Sequence, residues 1–112
     1  VAAVEALGQI SEIGNQQTIA AIRVRLEDAH DSVRRAAVEA FASISQKGDQ
    51  LCISEVTARL SDIDKFVRLS ALEALIRLSE KGDQPVIVAV GALLDDEDSS
   101  IRCTALKALG KL

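Results

Sequence analysis

The sequence predicts an all-α fold, a solenoid of stacked antiparallel helix pairs repeating every 34 residues, and three observations carry that expectation. Val33–Phe41 (VRRAAVEAF) returns as Val67–Leu75 (VRLSALEAL) and again as Ile101–Leu109 (IRCTALKAL), each time 34 positions further on. A second landmark, the triplets Gly14-Asn15-Gln16, Gly48-Asp49-Gln50 and Gly82-Asp83-Gln84, keeps the same step with no insertion. Apolar side chains within a unit fall at helical rather than alternating intervals, and one Pro with six Gly supplies too few turn formers for an all-β chain.

Each unit divides into two helices, A and B. Val1–Leu7 (VAAVEAL) aligns with Arg35–Phe41, which places the first A helix over 1–13, and the B helix after Gly14 over 16–28 with Ile19, Ile22 and Leu26 on its core side. The next A helix spans 31–46, with Asp31 and Ser32 as N-cap candidates, Val33, Ala37, Ala40, Phe41 and Ile44 on one stripe, and Gly48 as the left-handed C-cap. B helices over 50–61 (Ile53, Val56, Leu60) and 84–95 (Ile87, Val90, Leu94) and A helices over 65–80 and 98–111 bring the total to about seven. Pro85 falls in the first turn of its helix, where a missing N–H costs least. The units run approximately over 1–30, 31–64, 65–97 and a partial 98–112, all in one array. With no Met and an opening inside a helical pattern, the chain reads as a fragment of a longer solenoid.

Composition narrows the function. Hydrophobic residues make up 48% of the chain and aromatics 2%, so the core is built from Ala, Val, Leu and Ile in closely packed helices. A net charge of −4 argues against a nucleic-acid or anionic-membrane surface. The longest apolar run, Pro85 to Leu94, is half of the roughly 20 residues that span a bilayer. Cys52 and Cys103 form no CxxC or Cys/His cluster and read as free thiols of a reducing, cytoplasmic environment.

Among helical repeats, the absence of Trp and Tyr argues against tetratricopeptide units, and the Thr-Pro-Leu-His turn of ankyrin units is missing. An Asp in the inter-helix loop is followed six residues later by Arg behind a branched apolar residue: Asp28 with Arg34, Asp62 with Arg68, Asp96 with Arg102. In this pattern, with Ala and Leu at core spacing, the chain resembles the HEAT-repeat family over all 112 residues, and most closely the HEAT-like subgroup named after phycobilisome lyases. The resemblance implies a right-handed, armadillo-like solenoid whose A helices line the convex side and B helices the concave side, where partners commonly lie. Stacking sets the acid and base of each unit beside those of the next, so a structural ladder is expected, each Arg bridging its own loop carboxylate and the adjacent one.

Function is therefore expected on the B helices. The positions opposite their core stripe are Gln17, Ala21 and Val24, then Leu51, Glu55 and Ala58, then Pro85, Ala89 and Ala92, a shallow strip of small residues bordered by Arg25 and Arg59, with Leu93 in the third equivalent place. The partner-binding set is Ala21, Arg25, Glu55, Ala58, Arg59, Ala89 and Leu93, and reversing both Arg charges is expected to weaken a protein partner without lowering the melting temperature. The chain is read as a non-enzymatic scaffold with no cofactor or metal. His30 is the single histidine and sits in a loop, which leaves the His-Glu iron sites of HEAT-like hydroxylases without ligands. The run Asp95-Asp96-Glu97-Asp98 lacks the glycine and ligand spacing of a calcium loop and reads as a helix cap. Two alternatives follow from the resemblance: a bilin lyase or lyase-chaperone, or the regulatory array of a longer signalling protein. Leu106, Leu109 and Leu112 leave an apolar end face, so end-to-end self-association is expected.

Overall fold

The computed structural model describes residues 16–112, and those residues are all-helical, with no strand among them. Six helices follow in order: α1 over 16–25, α2 Asp31–Ile44, α3 Gln50–Ala58, α4 Lys65–Leu78, α5 Gln84–Ala92 and α6 Ser99–Lys111. The expected A helix over 1–13 lies outside the described residues. Two B helices end one turn sooner than expected, because α3 and α5 tighten into 3-10 turns over Arg59–Ser61 and Leu93–Asp95. The A helices α2, α4 and α6 pack in a row, and each of α3 and α5 packs on the A helix that follows it.

Acidic residues fix where the helices start. Asp49 accepts from Cys52 N at 3.2 Å and Asp83 from Val86 N at 3.3 Å, so the Asp of the Gly-Asp-Gln triplet is the N-cap of α3 and of α5. Asp64 accepts from the amides of Phe66 and Val67, and Asp98 from those of Ser100 and Ile101. At the matching place before α2 stands His30, which makes no side-chain cap; neither Asp31 nor Ser32 caps the helix, since both already lie inside its first turn. Gly48 is not the C-cap either. Helix α2 stops at Ile44 with extended Ser45 behind it, and Gly48 (φ 85°) makes the left-handed turn just before Asp49. That turn points the Gly48 amide at the next unit, where it donates to Leu78 O at 2.6 Å, and Gly82 repeats the bond to Leu112 O at 2.9 Å.

The core lies between the two rows. Ala37 and Phe41 are buried as the stripe of α2 requires, and Val38 and Ala42 join them because an A helix is covered both by B helices and by its A neighbours. Val33 and Ala40 are half-buried and Ile44 is exposed, although their equivalents in α4, Val67, Ala74 and Leu78, are all buried. In α5 the buried stripe is Val86, Val90 and Leu93, and Ile87 and Leu94 are only half-buried. Cys52, the equivalent of Val86, is fully buried, and burial raises its thiol pKa.

Candidate partner-binding face

The face open to a partner is the outer side of the B row. Three stripes at helical spacing are exposed throughout: Gln17, Ala20, Val24 and Glu27; Leu51, Ser54, Ala58 and Ser61; Pro85, Val88, Ala92 and Asp95. They correspond position by position at the 34-residue step. Large apolar side chains stand in solvent here, with Val24 65%, Leu51 49% and Val88 72% exposed. Helix α5 carries no charged side chain and α3 only Glu55. The A row is the opposite, because the open surfaces of α2 and α4 carry Arg35, Glu39, Lys65, Glu73 and Arg77.

The residues singled out in the sequence divide on this surface. Ala21, Arg25 and Ala58 are exposed, and among the described residues Arg25 is held only by a 4.0 Å approach to Asp28. Glu55 and Ala89 are half-buried, because their position faces the preceding B helix: Glu55 accepts from Arg23 of α1 at 2.9 Å. Leu93 is not part of an open strip at all; it is 8% exposed and belongs to the core, drawn in by the 3-10 turn that ends α5. Arg59 is half-buried and works as a tie between units, its Nη1 donating to Leu26 O at 2.7 Å. Reversing its charge would remove that tie, so the Arg25/Arg59 double reversal is expected to lower the melting temperature rather than leave it unchanged. The exposed position that sequence reasoning missed is Ala20, Ser54 and Val88, one residue away from Ala21, Glu55 and Ala89. Charge gave a signal for it, since no side chain at that position is ionisable whereas its neighbour includes Glu55.

The acid–base ladder forms with one change. Arg34 Nε and Nη2 donate to the two carboxylate oxygens of Asp62, in the following unit, at 2.9 and 3.0 Å. Arg34 Nη1 turns back to its own loop but finds backbone, the carbonyls of Asp28 at 2.9 Å and Ala29 at 3.3 Å. Arg68 repeats both halves, with Asp62 O at 2.8 Å and Ile63 O at 3.0 Å on one side and Asp96 on the other, and Arg102 keeps the carbonyl half with Asp96 O at 2.7 Å. The Arg68 rung is skewed: Nε lies 3.0 Å from Asp96 Oδ2 without hydrogen-bond alignment, and Nη2 donates to Oδ1 at 3.3 Å. Asp28, Asp62 and Asp96 each close their own loop by accepting from the amide two residues on, and Asp62 and Asp96 at the same time take the Arg of the preceding unit rather than their own. Burial pushes the Asp62 carboxyl upward, but the bonds from Arg34 and the Asp64 amide outweigh it and hold the group below the usual carboxylate range.

These side chains are committed to structure. Among the described residues no group of three His, Cys, Asp or Glu converges in a way that could hold a metal ion. In the 95–98 run, Asp96 meets Arg68 while Asp98 caps α6 and lies 3.5 Å from Lys65 Nζ. None of the described helices is long and apolar enough to cross a membrane.

The repeat geometry has its counterpart among known proteins: the family model for HEAT repeats matches residues 1–76. The chain belongs to the HEAT-repeat family. The match is to HEAT repeats as a class and does not single out the phycobilisome-lyase type. A comparison with curated proteins gave no match. The third pair, α5 and α6, lies beyond the matched residues, yet it repeats the loop Asp, the buried B stripe and the inter-unit Gly bond of the HEAT units before it.

Proposed function

We propose that this HEAT array is a protein–protein interaction scaffold that holds its partner along the B-helix face, with no reaction and no cofactor of its own, in the reducing environment of the cytoplasm. HEAT repeats generally mediate protein–protein interaction, and the observation that carries the reading here is the contrast between the rows. Leu51, Ala58, Val88 and Ala92 stand exposed on two helices that share one charged side chain, while the A row carries several. Apolar area covered by a partner is worth roughly 25 cal/mol per Å², so the charge-poor face of α3 and α5 offers binding energy that the charged A row does not. Arg25 at the edge supplies a movable cation.

The test is retention of a partner from lysate on the wild-type chain beside Val88→Glu and Arg25→Glu, with thermal melts run in parallel. Both positions are exposed, so melting should stay within a few degrees of wild type while retention falls. A partner held equally by all three chains would refute the face.

A second surface is favoured by one observation. Leu106 is 61% exposed although its equivalents Val38 and Leu72 are at 0%. Self-association through α6 is the proposed consequence, and sedimentation of wild type against Leu106→Glu tests it: wild type should gain mass with concentration and the variant should not. Identical profiles would end that reading.

A further inference from the structure

Resting on the B-helix face as the partner site, we infer that the third unit selects a particular partner chemistry, a helical segment whose apolar face ends in Lys or Arg. The α5 stripe of Pro85, Val88 and Ala92 is apolar and exposed, and the next position on the same stripe is exposed Asp95. At the equivalent places in the first two units an Arg stands two residues before this position, Arg25 before Glu27 and Arg59 before Ser61. In the third unit that residue is Leu93, which has gone into the core, so no base remains beside Asp95. The neighbouring cations are already engaged, Arg68 with Asp96 and Lys65 with Asp98. Among the described residues Asp95 and Glu97 therefore stay exposed with no ion pair, Asp95 in the turn that ends α5, where the helix dipole adds to the negative potential, and Glu97 in the loop ahead of α6.

An apolar patch that ends in uncompensated negative charge is complementary to an apolar segment that ends in positive charge, and opposed to an acidic one. Val88 and Asp95 are seven residues apart on one helical stripe, about 10 Å along the axis. A helical partner matching both would carry its base about two turns from its apolar anchor. The first unit differs, since exposed Arg25 stands beside Glu27 there. Discrimination by partner charge thus belongs to the α5 end.

The experiment uses the whole 15N-labelled chain and two synthetic, end-blocked helical peptides. Both carry Leu and Ala on one face; one places two Lys two turns from its central Leu, the other two Glu at the same positions. The Lys peptide should shift the amides of Val88, Ala92 and Asp95 and bind at least about fivefold more tightly than the Glu peptide, the effect of roughly one well-placed surface charge pair. Asp95→Lys with Glu97→Lys should reverse that preference, and Asp95→Asn should reduce it. Equal affinity for the two peptides, both lost with Val88→Glu, would overturn the charge selection and leave the B face standing. Shifts confined to the A row, or no shift with either peptide, would overturn both.

Discussion

Removing one half of the Arg34–Asp62 rung should cost far more than its place near the surface implies. The two side chains are 12% and 5% exposed, and the contact is bidentate. Arg34→Met would strand a carboxylate that keeps only the Asp64 amide as a donor, near the lower end of the ~3–5 kcal/mol seen for broken buried pairs, so about 3 kcal/mol. Asp62→Asn would leave Arg34 its two loop carbonyls and remove two charge-assisted bonds, about 2 kcal/mol. Because the double variant strands no charge, it should lose about 3 rather than the sum of about 5 kcal/mol, a coupling of about 2 kcal/mol. Urea unfolding at neutral pH, with unchanged slope, measures all four corners, and Arg35→Ala is the control. Arg35 pairs with exposed Glu39 at i,i+4 and lies over the Phe66 ring at 5.7 Å, two exposed contacts whose joint loss should cost about 1 kcal/mol, with no coupling to Asp62. Two single variants that each lose under about 0.5 kcal/mol and add without coupling would show the rung to be an ordinary surface pair and refute the ladder as the tie between units.

Further outcomes follow from the same geometry. His30→Asp should stabilise the chain by about 1 kcal/mol in urea, because it supplies the one A-helix N-cap that α2 lacks and that Asp64 and Asp98 provide elsewhere. Leu72→Ala should destabilise by about 3 kcal/mol and Leu106→Ala, its exposed equivalent, by well under 1 kcal/mol; similar losses at both would contradict the stacking order. The Asp62 carboxyl is held below its ordinary value, so its contribution is complete above about pH 4 and fades as pH falls through the lowered pKa. Acid titration followed by circular dichroism should therefore show a loss below pH 4 that Arg34→Met makes shallower.

The repeat was legible because two unrelated landmarks shared one period, and periodicity survives any error about a particular residue. Helix types and order followed from it. The errors about which side chains are buried are one-residue errors of phase. A stripe drawn at 100° per residue assumes that a helix is covered from one side, but an A helix here is covered from several, so Val38 and Ala42 are buried and unforeseen. On the B helices the tightening to 3-10 turned Leu93 inward, and the open position moved from that of Glu55 to that of Val88. Arg25 and Arg59 looked alike in sequence, and only the reach of Arg59 to Leu26 O separates a structural cation from a free one. The ladder was legible in its residues but not in its bonding, because which loop carboxylate or carbonyl each Arg reaches is a matter of backbone geometry.

The most direct test of the account is photo-crosslinking in cell lysate from a photoreactive residue placed at Val88 on the B row or at Glu73 on the A row, both exposed. A partner adduct from position 88 and none from position 73 is the result predicted; an adduct from position 73 alone, or equal adducts from both, would contradict a scaffold that works through its B-helix face.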